Sequence, residues 1–440
     1  MSEKIKIYRL CFESLKVYRN LLEDMVLKNL YNLICHIDDQ NQDFKKVLNL
    51  YSTFYYNLLE AGKGCSLKEY IIEKILFGEN TFAKLASNAI GKSMIDQFIK
   101  KAASCDLDCL EFISNFSAKE IEDYLKESSA IPDFLAESFL DVKGTNTMPQ
   151  NANDNFIKII IEKFLNVSPW SSLIEDLIEF YKQNGYGIFA RYKGFSWDGE
   201  KLIGIENLDP VRLDDLVNIE RQKKIVVENT LAFLRGQRVN NILLYGSRGS
   251  GKSSTVKAIL NEFYHMGLRM VEVFKDQLYT FPELIRILRD VPLKFIAFVD
   301  DLSFEDIEEN YTKLKAILEG SLEVMPQNVV IYATSNRRHF VKEKFDDRNT
   351  FYSDEVHFKD TLEEKLSLAD RFGIIVTYTS PTQQEYLSIV EEIAKKRRIE
   401  ITEELYNLSL QWEMNYNGRS ARTAKQFVDW YEMQIKMEKG

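Results

Sequence analysis

The sequence predicts an α/β core built on a five-stranded parallel sheet, with an α-helical region before it and a small helical lid after it. Three observations predict this. Between residues 205 and 380, short apolar runs alternate with amphipathic stretches. Strands buried on both faces read as continuous apolar runs, and helices must then cover both faces. One of these runs leads straight into a glycine-rich segment and a helix. On either side of the region, apolar residues recur at three- and four-residue spacing without strand texture.

The chain has 440 residues, so two or three domains are expected at roughly 100–200 residues each. Apolar residues make up 45% and charged residues 28%, as in a soluble globular protein. No continuous apolar stretch follows the first residues, and no run approaches the ~18 uncharged apolar residues that read as a membrane span. The expectation is a cytoplasmic protein with neither signal peptide nor membrane partner. A net charge of -10 speaks against a generally basic nucleic-acid protein. The cysteines, Cys11, Cys35, Cys65, Cys105 and Cys109, all lie in the N-terminal third. Cys105 and Cys109 stand one helical turn apart, but no second Cys/His pair completes a zinc spacing. Reduced, packed thiols are expected.

In chain order, residues 1–185 read as a helical domain. Leu15, Tyr18, Leu22 and Met25 carry one such periodic stripe. A polar, breaker-rich stretch at 141–155 reads as a loop inside it, and helical pattern resumes from Phe156 to about Gln183. Residues 186–204 read as a connector, with a short strand near 185–192. The core spans 205–380, with strands at 241–245, 270–274, 294–299, 328–333 and 374–378. Residues 381–440 form the lid, with helices near 382–397, 402–414 and 419–437.

Gly246-Ser-Arg-Gly-Ser-Gly-Lys-Ser253 fits G-x-x-x-x-G-K-[ST] at every position. In such a loop, glycines turn backbone amides towards phosphate oxygens and the following helix adds its positive end. Gly246, Ser247, Arg248, Gly249, Ser250, Gly251, Lys252, Ser253 and Ser254 are the expected phosphate-binding residues. Lys252 reaches the β- and γ-phosphates, and the Ser253 hydroxyl ligates Mg²⁺. The run 294–299 ends in Asp300 and Asp301. Asp300 is the expected magnesium carboxylate, and Asp301 is placed to orient or deprotonate water, with Glu305 as its rival. The run 328–333 leads to Asn336, whose amide is suited to positioning that water.

These motifs together resemble those of AAA+ ATPases over about 205–437. Walker A, Walker B, sensor 1 at Asn336, an arginine-finger box at 370–373 and a sensor 2 segment at 418–422 fall in the family's order. The runs at 300–305, 333–339 and 364–373 are similar to a bacterial AAA+ family known only as a domain of unknown function. Its core resembles those of replication initiators and helicase loaders. The resemblance implies ATP/ADP and Mg²⁺ as cofactors. It implies that Arg371 reaches a neighbouring subunit's γ-phosphate, with Arg348 a second trans arginine, and that Arg422 contacts phosphate within its own chain. Leu216, Val217 and Ile219 sit where the adenine is cradled. Two features depart from the family. Walker B is Asp-Asp where many members have Asp-Glu, which implies slow hydrolysis. No aromatic–hydrophobic–glycine pore loop occurs between 274 and 291. The polar stretch 337–362 reads as a solvated loop or as a partner-binding insertion.

Three functions compete. The first is a homo-oligomeric ATPase whose conformational switch acts on a protein client through the N-terminal helices. The second is a nucleic-acid loader, suggested by Lys395-Lys-Arg-Arg398 with Arg337 and Arg338. The same cluster also reads as a helix end complementing its dipole. The third is a nucleotide-binding scaffold without hydrolysis. No Asn-Lys-x-Asp segment supports a GTPase.

Overall fold

A computed structural model describes residues 2–39, 43–88, 95–121, 140–141, 155–302, 325–336, 371–416 and 418–438. The chain divides into two compact units, Met1–Tyr192 and Lys193–Gly440.

The first unit is helical: α1 (Ser2–Ser14), α2 (Met25–Asp38), α3 (Phe44–Gly62), α4 (Leu67–Phe77), α5 (Thr81–Asn88), α6 (Gln97–Ser114), α7 (Asn155–Asn166), α8 (Ile174–Asn184) and the single turn α9 (Ile188–Arg191). Its core is aromatic-rich, with Tyr8, Phe12, Phe82, Phe164, Trp170 and Tyr181 fully buried. The stripe from Leu15 to Met25 is not one helix. Asp106 on α6 accepts the backbone amides of Lys16, Val17 and Tyr18 at 2.9, 2.7 and 3.0 Å, which ends α1. A 3₁₀ turn follows (Arg19–Glu23), and the Asp24 side chain caps α2 by accepting from the Val26 and Leu27 amides. The short strand expected near 185–192 is instead α9. The polar stretch at 142–154 lies outside the described residues.

The second unit holds a seven-stranded sheet, ordered β2-β1-β4-β5-β6-β3-β7. The five expected runs all form strands: β3 (Ile242–Gly246), β4 (Leu268–Val273), β5 (Lys294–Val299), β6 (Val329–Ser335) and β7 (Ile374–Tyr378). They pair in parallel throughout. The expected count of five is corrected by β1 (Gly194–Trp197) and β2 (Leu202–Gly204), which come from the stretch read as a connector. These two form a hairpin. The Asp198 carboxylate accepts the Glu200 and Lys201 amides, and Gly199 takes φ 102°, where a side chain would be strained. β1 then extends the parallel sheet beside β4, and β2 closes that edge antiparallel.

Helices α10 (Glu220–Leu234) and α11 (Lys252–Phe263) cover one face. Val226 and Phe233 of α10 and Val256, Ile259 and Leu260 of α11 are buried with Ile242, Leu244, Met270, Ile296, Phe298 and Val330 of the strands. Helix α12 (Phe281–Arg289) precedes β5. The lid helices are α13 (Gln383–Lys396), α14 (Glu403–Asn415) and α15 (Ala421–Glu438), with their own core of Tyr386, Val390, Leu405, Phe427 and Val428. Thr382 and Glu385 form a reciprocal capping box that starts α13. None of the described helices is long and apolar enough to cross a membrane.

Candidate nucleotide site

The strand order decides where the site lies. β3 sits between β6 and β7, neither of which is its neighbour in sequence. The C-terminal ends of β3, β5 and β6 therefore open on one crevice, where α/β sheets bind ligands.

The loop after β3 depends on its glycines. Gly246, Gly249 and Gly251 have φ of 137, 71 and 96°. A Cβ on Gly246 would lie 1.8 Å from the Tyr378 carbonyl oxygen, a backbone clash that cannot be relieved locally. The loop is fastened to β7 and the residues after it. The Ser247 amide donates to Tyr378 O at 3.2 Å, and Ser380 Oγ donates to Ser247 Oγ at 2.9 Å. Ser250 Oγ donates to Ser247 O within the loop.

Lys252 is 4% exposed, and its ammonium donates to the carbonyls of Gly246 at 2.9 Å and Ser247 at 2.7 Å. Burial pushes its pKa down to about 8. Asp300 and Asp301 oppose that shift, while the charges of Arg422 and Arg248 add to it. Ser254 stands half-buried in the first turn of α11.

Two hydroxyls converge on one carboxylate oxygen. Ser253 Oγ and Thr334 Oγ1 each donate to Asp300 Oδ1 at 2.6 Å. Thr334 Oγ1 also accepts the Asp301 amide at 2.8 Å. Asp301 is held at φ 52°, and its carboxylate accepts from Asn336 Nδ2 at 2.5 Å. The structure thus brings Lys252, Ser253, Asp300, Asp301 and Asn336 together. Thr334 was missed from sequence because a threonine in an apolar strand reads as packing. The signal was the strand order: β5 and β6 pair with Val299 opposite Ala333, so Thr334 adjoins Asp300. A hydroxyl and a carboxylate are the hard oxygen donors that magnesium takes alongside phosphate oxygens.

Arg422 lies in the first turn of α15. Its Cβ is 3.2 Å from where a Cβ on Gly249 would stand, which puts the lid directly against the loop. Arg371 lies elsewhere. It precedes β7, whose Ile374 pairs with Ile242 and whose Tyr378 pairs with Gly246. The two residues are therefore separated by the length of a five-residue strand, about 16 Å, and Arg371 is not part of its own chain's site. Ile219 packs with the sheet core and its Cδ1 lies 3.5 Å from a Cβ placed on Gly251. Val217 packs instead with the lid core. Between them Asn218, at φ 62°, donates from Nδ2 to the Glu385 carbonyl of α13. Glu305, Arg337, Arg338, Arg348, Asp370 and the stretch 337–362 lie outside the described residues.

The basic run at the end of α13 is largely matched by the chain's own carboxylates. Lys395 pairs with Glu391 at 2.7 Å, Lys396 with Asp215 at 2.6 Å, and Arg397 with Asp429 at 2.5 Å and Glu432 at 2.9 Å. A separate cavity of about 270 Å³, lined by Phe195, Leu208, Leu260, Met270 and Phe298 with Lys257, shares no lining residue with the phosphate loop.

Residues 190–435 match the family described as "Protein of unknown function (DUF815)". Over 66 residues the chain is 42% identical to the replication factor C large subunit of Aeropyrum pernix, a stretch covering 14% of this chain and 13% of that protein. The chain thus spans only about 13% of that relative's length. Similar solved structures include the RuvB Holliday junction branch migration motor of Thermotoga maritima, at 19% identity, TM-score 0.34 and coverage of 52% of this chain and 67% of that one. They also include the Aeropyrum pernix ORC1 protein in complex with DNA, at 15% identity, TM-score 0.31 and coverage of 41% and 50%. PCH-2 of C. elegans is similar at 16% identity, TM-score 0.33 and coverage of 49% and 63%.

Proposed function

We propose that this chain, which belongs to the family described as "Protein of unknown function (DUF815)", is an AAA+ ATPase that binds ATP with magnesium and hydrolyses it to switch its lid. The observation that carries this reading is the convergence of Ser253 and Thr334 on Asp300 Oδ1, one helix residue from the buried Lys252. A buried ammonium, a metal-type carboxylate and a glycine loop at a helix N-terminus form a site for a phosphate chain and a divalent cation.

In this reading the loop amides of 246–253 hold the phosphates. Lys252 leaves the Gly246 and Ser247 carbonyls to neutralise the β- and γ-oxygens, and Ser253 and Asp300 hold the metal. When bound, magnesium supplies charge neutralisation at the transferring phosphoryl group. Asp301, steadied by Asn336 and tethered at its amide by Thr334, orients or deprotonates the attacking water. Arg422 reports the γ-phosphate to the lid. Val217 and Ile219 border the base, one attached to the lid and the other to the sheet, so a nucleotide there touches both parts. Arg371 serves a neighbouring copy, which makes the working form a homo-oligomer. We assign nucleotide binding to 205–380, the lid to 381–440 and client binding to the helical region 1–185. A protein client is favoured over nucleic acid because Lys395, Lys396 and Arg397 are already ion-paired within the chain.

The test is ATP affinity and phosphate release by the purified full chain. Lys252→Ala is expected to lose both. Asp301→Asn keeps a residue type that tolerates φ 52° and is expected to bind ATP within about threefold of wild type. Its phosphate release is expected to fall roughly 100-fold or more, the scale of a lost general base. Wild-type release no faster than that of Asp301→Asn would remove hydrolysis and leave a nucleotide-binding scaffold. Undiminished binding by Lys252→Ala would overturn the site itself.

A further inference from the structure

The cavity of about 270 Å³ beside α11 has an apolar floor and charged walls. Its floor comes from Met270 of β4, Phe298 of β5 and Leu260 of α11, each at most 5% exposed. Leu208, in the loop after β2, closes one side. Gly194 of β1 helps keep the space open. It pairs with Met270 and so shares its face of the sheet. A Cβ there would lie 2.7 Å from Leu208 Cδ2, so glycine lets Leu208 settle against the strands with no side chain beneath it.

Lys257 faces this space from the helix and Glu272 from the sheet. Lys257 stands one helical turn before Asn261, with Leu260 on the same side of α11. Glu272 pairs with Phe298 and lies two residues beyond Met270, so it shares their face. Both charged residues line the cavity and both are half-buried. Among the described residues neither has a hydrogen-bond or ion-pair partner, and they do not pair with each other. Opposite charges half withdrawn from water and held apart cost free energy until another group pairs them. Asn261 adds a polar atom. Its Nδ2 donates to the Asp209 and Val211 carbonyls, both at 2.8 Å, which leaves Oδ1 to accept. Asp209 also lines the cavity, but its carboxylate already accepts the Val211 amide at 3.2 Å.

We propose that this cavity binds a small zwitterion with an apolar side chain, in chemical class a free apolar amino acid. Its carboxylate pairs with Lys257, and its ammonium donates to Glu272 and Asn261 Oδ1. Its side chain covers Met270, Leu260 and Phe298. Charge selects this class. A fatty acid would leave Glu272 unpaired, and an apolar amine would leave Lys257 unpaired. Size agrees. At about 270 Å³ the cavity is at the small end of ligand pockets, which run to about 300–1,000 Å³. It has room for on the order of ten water-sized groups at about 30 Å³ each, too few for a nucleotide. None of the described lining residues comes from the phosphate loop, so the site does not depend on ATP binding.

The experiment is calorimetric titration of the nucleotide-free full chain with leucine, methionine and phenylalanine, each beside its N-acetyl and amide forms. At least one free amino acid is expected to bind with a Kd of about 1 mM or tighter, within reach of so small a ligand. Blocking either of its charges should weaken binding about tenfold or more, the scale of a lost hydrogen bond to a charged group. The blocked forms need no variant and test the wild type directly. Glu272→Gln should lose the preference for the free amino acid over its N-acetyl form, and Lys257→Met the preference over its amide. Neither residue has a partner among the described residues, so both variants should keep the wild-type Tm. Lys252→Ala should bind the amino acid within about threefold of wild type, as expected of a separate site. Loss of binding in Lys252→Ala would instead place the ligand in the phosphate loop and overturn the proposal. So would no binding at amino-acid concentrations on the order of 10 mM, equal binding of free and blocked forms, or unchanged preferences in both cavity variants.

Discussion

Thr334 Oγ1 donates to Asp300 Oδ1 at 2.6 Å while accepting the amide of Asp301 at 2.8 Å. One hydroxyl thereby sets the positions of two consecutive acidic residues with different expected tasks. Thr334 is 1% exposed, whereas Asp300 is half-buried and Asp301 is exposed.

Thr334→Val preserves shape and removes both hydrogen bonds. A net hydrogen bond contributes about 0.5–1.5 kcal/mol, so stability should fall by that order. Phosphate release should fall roughly tenfold or more because Asp301 loses its tether. Thr334→Ser should restore most of both. The measurement is denaturant unfolding beside steady-state phosphate release. A valine variant with wild-type turnover would show that Thr334 serves packing alone.

Lys252 links the site to pH. Burial lowers its folded pKa to about 8, below the ~10.4 of an unfolded chain. The cost of holding the buried charge is therefore fully present below about pH 8 and is relieved as pH rises towards the unfolded value. Lys252→Met removes a charge cost of about 3 kcal/mol together with two charge-assisted hydrogen bonds of about 1.5–3 kcal/mol each, so the nucleotide-free protein should be no more stable than wild type at pH 7. ATP favours the charged form. Affinity should be flat below pH 8 and weaken by up to tenfold per pH unit above it. Lys252→Arg keeps its charge throughout and should show no such slope. Calorimetric titration at pH 7, 8 and 9 decides; equal slopes for the two proteins would remove Lys252 from the pH dependence.

Gly249 meets the lid. It has φ 71°, and a Cβ there would lie 2.8 Å from Ser420 Oγ and 3.0 Å from Ser420 Cβ. Ser420 cannot swing away freely, since its hydroxyl accepts the Thr423 amide at the start of α15. Gly249→Ala should push the lid off the loop and weaken ATP binding by about 1–3 kcal/mol, the scale of a strained non-glycine backbone. Core unfolding should be affected less than binding. ATP affinity measured beside thermal unfolding checks this. Loss of both in equal measure would mean that the loop, not the lid contact, has failed.

Much of this site was legible in the sequence because its chemistry is local. Gly246 to Ser253 is one contiguous loop, and Asp300 and Asp301 end an apolar run that could only be a buried strand. The lid helices announced themselves by apolar spacing, and the structure adds that Thr382 and Thr402 cap α13 and α14. What stayed hidden depends on partners distant in sequence. The break after Ser14 is made by Asp106, about ninety residues on, and no periodicity near Leu15 reveals it. β1 is short, but the turn Asp198-Gly199 between Trp197 and Leu202 was a readable hairpin signal. The role of Thr334 needed the pairing of β5 with β6. The left-handed backbone of Asp301 suits its residue type, but nothing local in the sequence assigns it to that position.

Arg371 tests the oligomer. It stands before β7, a strand's length from the phosphate loop of its own chain, beside the fully buried Phe372 that anchors that end of the strand. In the proposed oligomer, an arginine so placed serves the γ-phosphate of a neighbouring copy. Arg371→Ala should therefore leave ATP affinity within about threefold of wild type and cut phosphate release by roughly 100-fold or more, towards the scale of a lost arginine finger. Wild-type turnover per chain should rise with protein concentration until the oligomer is saturated. Mixing supplies the stricter check. Lys252→Ala cannot bind nucleotide but retains Arg371, whereas Arg371→Ala retains its own loop. Equal amounts of the two inactive variants should recover up to about a quarter to a half of wild-type activity, because some interfaces then pair an intact loop with an intact arginine. Mixtures as inactive as either variant alone, with oligomerisation confirmed by solution mass, would place Arg371 outside the catalytic interface.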